Sequence, residues 1–438
     1  MQELEKNNHN KALVVLAIYT LTIFIYKDFG IPNVLGYLFL IAAAMYIIFY
    51  EKASAKINNI SVAFALLIFF QIAEIIRSIL MGNHTHQMYI AAFILVAFFV
   101  FVSDAKERDV KLTIKMWKGL SIALSFYVIL VAAMPSIYVK LINPVLSKAS
   151  QEMNINYLSG GYGIAIGGNI IIIDYIVAFA FLYYVCAFLI NRDEGRLYRV
   201  KCLIPALFIL LAVFLINRKT EIIAILIAAA YMFFSKVTFR SFKQKKKNIR
   251  FFLLIFIAMM LFAFLLYRTG HLGRLGDFIE TVLANKRTGA NRDISSGRML
   301  FWGIALNLFL HYPILGIGWG NFAEHIPASS QSIGIEKHNV HNCYLQVLCE
   351  TGIVGFILFY GCIGYIFAKI AKKSIEMSRG SYDTDMLIIN STCVAYQLMF
   401  LICAAIDPTF YSVVFWLLYS LSIMLSNSIN KQFALNEK

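Results

Sequence analysis

Charge is what this sequence has least of. Asp, Glu, Lys and Arg make up 14% of its 438 residues, where soluble domains carry about 25%. That deficit excludes a string of soluble domains. The seven cysteines (186, 202, 343, 349, 362, 393 and 403) form no CxxC and no disulfide framework, and most sit inside apolar runs as small core residues. There is no HExxH and no third ligand at a metal-binding spacing from the paired histidines, so a metal is not expected. No internal repeat is visible, which weakens a transporter built from inverted repeats. No small-residue cleavage site follows the first apolar run, which is expected to be retained as the first span.

What the sequence has in abundance is apolar residues, 60% of the chain, in runs long enough to cross a bilayer, which takes about 20 residues as helix. The fold class is therefore all-α, a polytopic membrane protein with membrane lipids as its surroundings. Twelve spans are predicted, at about 12–26, 31–50, 60–80, 88–103, 112–134, 168–190, 202–217, 220–235, 251–267, 342–370, 386–405 and 409–427. The organisation is nine spans over residues 1–267, a polar loop over 268–340, and three spans over 341–438. Two stretches break the rhythm: the loop, and residues 135–167, which open on Pro135 and Pro144 and end in a glycine-rich run.

The net charge of +15 does not point to nucleic acid, because lysine and arginine accumulate on the cytoplasmic side of membrane proteins. With the N-terminus inside, 26 of the 39 Lys and Arg residues fall inside. Seven of the other 13 lie in the long loop, and long translocated loops escape the rule. Both termini are thus expected in the cytoplasm and the loop outside. Within the loop, Ser296-Gly297 reads as a helix start, Arg298–Leu310 as an amphipathic helix, and His311-Tyr-Pro313 as its stop. Its apolar face (Leu300, Phe301, Ile304, Leu308) is expected to lie on the membrane or the bundle. A glycine- and aromatic-rich turn, Gly316 to Phe322, follows.

Ionisable groups near membrane depth are costly and mark function by default. At the outer edge these are Glu74, Arg77, Asp174, Arg218, Lys219, Glu221 and Asp407. Arg218 and Lys219 run against the inside bias. Arg218 either snorkels to the headgroups, pairs with Glu221, or clamps an anion, since a guanidinium grips phosphate with two N–H groups. Arg298 carries the same alternatives. Glu74 and Arg77, one turn apart, read as a structural ion pair.

The stretch His338–Gly355 (HNVHNCYLQVLCETGIVG) begins a long apolar helix at His341-Asn342. A helix start offers free N–H groups to a phosphate and disfavours an imidazolium, and a neutral histidine can take a proton from a hydroxyl. The alternative is an interfacial His-Asn cap with no chemistry. Glu350 lies on the opposite helix face from His341 and is expected to cap or brace a neighbouring helix, while Gly352 and Gly355 would let another helix approach. His338 is assigned either to help His341, to contact sugar, or to cap.

HNCYLQVLCETGIVG, preceded by SGRMLFWGIALNLFLHYPILGIGWGNF, resembles the O-antigen ligase and polymerase superfamily (the WaaL and Wzy proteins). The resemblance is specific over about residues 290–360 and weaker around Arg218, where the family's Ser-Arg-Gly is Asn217-Arg218-Lys219. It implies a GT-C-like fold in the bacterial inner membrane, with glycan passed from an undecaprenyl-diphosphate carrier to an acceptor hydroxyl without metal or nucleotide sugar. His341 matches the catalytic histidine, and Arg218 and Arg298 match the diphosphate-binding arginines. Asn342, Tyr344, Glu350 and Gly352 match further pattern positions. Lys219, His338 and Asn342 are the other expected substrate contacts. A polymerase passes glycan to the next carrier-linked repeat unit, and a chain-length regulator is then a further candidate partner. A ligase passes it to the lipid A core. The Tyr-Leu-Gln and Glu-Thr-Gly-Ile-Val-Gly forms favour the polymerase. A flippase for lipid-linked glycans and a scaffold subunit are the readings from other classes.

Overall fold

The computed structural model describes residues 58–82, 107–159, 170–191, 195–238, 297–327, 339–380, 382–411 and 413–436, with isolated positions between 249 and 287. The spans expected at 12–26, 31–50 and 88–103, most of the one at 251–267, most of residues 269–296 and all of 328–338, with His338 among them, lie outside the described residues.

The described elements are helices, with no strand among them. In chain order they are α1 (Asn59–Leu80), α2 (Glu107–Ala133), α3 (Lys148–Ser159), α4 (Ile170–Ile190), α5 (Gly195–Ile216), α6 (Lys219–Phe234), α7 (Arg298–His311), α8 (Cys343–Arg379), α9 (Thr384–Cys403) and α10 (Val413–Asn436). Six of them, α1, α2, α4, α5, α8 and α9, are long and apolar enough to cross a membrane. α6, at 16 residues, is shorter than a full span. Between α2 and α3 the proline-bearing stretch winds through short, irregular helical turns, as proline's missing N–H dictates.

α4 and α9 form the centre of the bundle. In lipid the tails are as apolar as leucine, so packing and interhelical hydrogen bonds hold helices together. Trp117 of α2 stacks on Phe179 of α4 at 3.8 Å between centroids and donates Nε1 to the Ile176 carbonyl at 3.0 Å. Tyr396 of α9 donates its hydroxyl to the Tyr175 carbonyl at 2.7 Å. Asn390, buried in α9, donates to Ser374 of α8 and accepts from Ser426 of α10. Each such bond contributes about 0.6 kcal/mol.

From α4 to α6 and from α8 to α10 successive helices alternate in direction. Contacts between Asn58 and Asn427 and between Asn390 and Ser374 lie toward one end. The last turn of α1, the starts of α4, α6 and α8, and the α9–α10 connection gather at the other. The ionisable residues picked out in the sequence collect at that second end.

α8 is not one rod. At 37 residues it would run about 55 Å, well beyond the roughly 30 Å hydrocarbon core, and it breaks at Gly352, where φ is 63° and ψ −170°. A short head, 343–351, therefore sits at the site end, and the remainder crosses the bundle.

Candidate functional site

The site is assembled from two connections, α5–α6 and α9–α10, and the starts of α4, α7 and α8. α5 ends in a tight turn through Asn217, which adopts a left-handed φ of 64°; asparagine tolerates that region better than most residues. The turn delivers Arg218 to the start of α6. Its Nη1 lies 2.6 Å from Glu221 Oε1, and its Nη2 lies 3.3 Å from Asp407 Oδ2. Arg298, the first residue of α7, reaches the other oxygen of the same carboxylate, with Nη2 3.6 Å from Oδ1. One aspartate thus holds two guanidiniums brought from segments far apart in the chain. Asp174, fully buried at the start of α4, lies within electrostatic reach of Arg218, Glu221 and Asp407. Burial works against the Arg218 charge, but the carboxylates of Glu221, Asp407 and Asp174 outweigh it and hold its pKa above the ordinary arginine range. Arg218 is a fixed cation.

Asp407 is fixed to the start of α8. Cys343 donates its backbone N–H to the Ala404 carbonyl at 2.7 Å and its thiol to the Asp407 carbonyl at 3.2 Å. The Phe410 N–H donates back to the Cys343 sulfur at 3.4 Å. His341, two residues before Cys343, is half-buried with its Nδ1 shielded and has a left-handed φ of 55°. On one side Val340 is buried and donates its N–H to Gln346 Oε1 at 3.3 Å. On the other, the Asn342 side chain caps the helix by accepting from Leu345 N–H at 3.1 Å.

This arrangement leaves fewer N–H groups open at the helix start than the sequence suggests. Cys343 donates its N–H to Ala404 O and Leu345 donates its N–H to Asn342 Oδ1. Asn342 is a cap, with its side-chain oxygen in use. Lys219 is the half-buried first residue of α6. Tyr344 donates its hydroxyl to Leu401 O at 2.8 Å and stacks on Tyr360, tying the head of α8 to α9.

Glu350 braces the turn that follows α7 and the first residue of the short 3-10 helix Phe322–His325 beyond it. Its carboxylate accepts from the N–H groups of Gly320 (2.9 Å) and Phe322 (3.2 Å) and from Gln346 Nε2 (3.2 Å). Gly352 admits loop backbone, not a helix: a Cβ there would overlap the Ile314 carbonyl. At Gly355 the expected close approach is present, since a Cβ would stand 2.8 Å from Phe70 of α1. The break in α8 is sewn shut by the chain leaving α7. Ile317 and Gly318 donate to the carbonyls of Cys349 (3.0 Å) and Glu350 (2.7 Å), while Ile353 and Val354 donate to Pro313 (2.8 Å) and Ile314 (3.3 Å). These replace the helical bonds lost at the break, as buried backbone requires.

α7 runs one residue past its predicted end and packs Phe301 and Ala305 inward, with Ile304 and Leu308 partly buried beside them. Leu300, expected on that face, is 42% exposed. Glu74 and Arg77 form the expected ion pair at 2.7 Å. Among the described residues no set of three His, Cys, Asp or Glu side chains is arranged to hold a metal ion.

Sequence reasoning noted Asp407 only as an ionisable group at the outer edge and missed that it joins both arginines. The signal was an acidic residue in a short connection between two spans, followed by Pro408.

The fold and site define an all-helical, membrane-spanning protein with an arginine pair gathered on a carboxylate beside a histidine-led helix. Residues 204–360 match the family model described as O-Antigen ligase, which supports the likeness of this part of the chain to the O-antigen ligase and polymerase superfamily. The matched segment contains Arg218, Arg298, His341, Glu350 and Gly352, while Asp174 and Asp407 lie outside it. No curated protein matches the chain.

Proposed function

We propose that the protein is a bacterial surface-polysaccharide polymerase, moving glycan from undecaprenyl diphosphate to a hydroxyl of an acceptor repeat unit on the outer face of the inner membrane. The observation that carries the reading is the convergence of Arg218 and Arg298 on Asp407 beside the start of α8. Two guanidiniums that share one carboxylate are suited to a diphosphate, whose charge grows as it departs. Their common carboxylate keeps them preorganised before substrate arrives.

In the proposed reaction the acceptor oxygen bonds to the anomeric carbon as the bond from that carbon to the diphosphate oxygen breaks. The hydroxyl proton passes to neutral His341. The diphosphate leaves with the bonding pair, held by Arg298 and Arg218. Lys219 adds positive charge at the start of α6, and the Asn342 amide nitrogen is the part of that side chain available to a sugar. His338, three residues before His341 in the sequence, is a further candidate for contact with sugar. No metal enters the scheme.

The test supplies purified protein with carrier-linked repeat units, with and without lipid A core. Lengthening lipid-linked glycan without core supports the polymerase. Transfer only when core is present replaces it with the ligase. Neither product, from protein that moves labelled carrier-linked glycan across proteoliposomes, would replace it with a flippase.

A further inference from the structure

We propose that Arg77 is a positioning residue for His341, acting through the break in α8; the inference rests on the transferase reading above. Arg77 stands in the last turn of α1, on an element that contributes nothing to the arginine–carboxylate cluster. Its Nε and Nη2 donate to Glu74 Oε2 at 3.0 and 2.7 Å. That pairing neutralises the cation and aims the rest of the fork. Nη2 also donates to Leu315 O at 2.6 Å and to Glu350 O at 3.0 Å.

Those two carbonyls belong to the two segments sewn together at the break. Leu315 lies on the chain leaving α7, whose first residue is Arg298. Glu350 lies in the head of α8. From Glu350 the contacts run on to His341: its carboxylate accepts from Gln346 Nε2, and Gln346 Oε1 accepts the N–H of Val340, the residue before His341. The carboxylate also grips Gly320 and Phe322. Ser78, next to Arg77, donates to Trp319 O at 2.8 Å, so the end of α1 holds the turn at two points. One guanidinium therefore fixes the arm that carries Arg298 and the head that begins at His341 in a common frame. The left-handed backbone of His341 has a conformational cost that the surroundings must offset, and this chain of contacts is part of those surroundings.

A base and a leaving-group clamp misplaced by about 1 Å lose about a hundredfold in rate. Arg77→Gln and Arg77→Lys in the purified full-length protein test the proposal by amide hydrogen exchange and by turnover of carrier-linked repeat units. Arg77→Gln is expected to raise exchange in 313–322 and also in 339–347, with 384–403 unchanged. Its kcat is expected to fall about 10- to 100-fold while the donor KM stays within about twofold. Arg77→Lys, which keeps the charge and loses the fork, is expected to fall between it and wild type, and it carries the test if Arg77→Gln fails to accumulate. Unchanged kcat, exchange confined to 313–322, or exchange raised throughout 384–403 would each overturn the proposal. A wild type that turns over no carrier-linked glycan would reject the transferase reading, and the exchange pattern at 339–347 would still decide whether Arg77 holds that segment.

Discussion

Among the described residues, Asn217 and His341 are the non-glycine residues with a left-handed backbone, and both border the arginine cluster. Such positions cost about 1–3 kcal/mol and persist where the surroundings impose them. His341→Asn separates backbone from chemistry, because asparagine accepts this region readily but supplies no base. It is expected to insert and melt like wild type while forming no product; a His341→Asn enzyme that turns over would remove His341 from the base role. Asp407→Asn keeps shape and removes the charge between Arg218 and Arg298. Breaking a buried pair costs about 3–5 kcal/mol, so a lowered melting temperature and loss of most activity are expected. Arg298→Ala, at the more exposed end of the cluster, is expected to raise the donor KM with little loss of fold. The sequence singled out Arg218 and Arg298 as outer-edge cations, with pairing to an acid among the alternatives, and the structure pairs both with Asp407; His341 was singled out as the residue that leads a long helix. The role of Asp407 was not legible, because its partnership with Arg218 spans 189 positions and leaves no local pattern.

At the level of elements, helix boundaries followed from apolar runs and stop signals. α1, α4 and α7 fall within two residues of expectation, while α5 starts seven residues earlier because Gly195–Lys201 continue the helix with charged side chains. The break in α8 was not legible. Gly352 reads equally well as a helix contact, and only the backbone bonds from 313–318 show otherwise. Gly352→Ala and Gly316→Ala would each combine a left-handed φ with overlap on carbonyl groups, of Ile314 and Glu350 respectively. Both are expected to lose folded protein, or, where protein accumulates, to lose activity and protection of the 317–318 and 353–354 amides. Gly303→Ala, in open space on α7, is the control expected to behave as wild type.

For the whole molecule, the gathering of the α1, α5 and α9 ends with the α4, α6 and α8 starts agrees with the alternation read from lysine and arginine. The sidedness itself is a prediction. Gly82→Cys is expected to react with a membrane-impermeant maleimide in intact cells, and Gly380→Cys only after permeabilisation; the reverse pattern would put the arginine cluster in the cytoplasm. Four expected spans fall wholly or mostly outside the described residues, so the overall count of twelve rests on hydropathy. The measurement that bears most directly on the account is turnover of carrier-linked repeat units by purified protein in chelator, wild type against His341→Ala at equal folded amounts. The account predicts a ladder of lipid-linked glycans from wild type, unaffected by the chelator and absent from the variant. A ladder that survives His341→Ala, or disappears with the chelator, would contradict it.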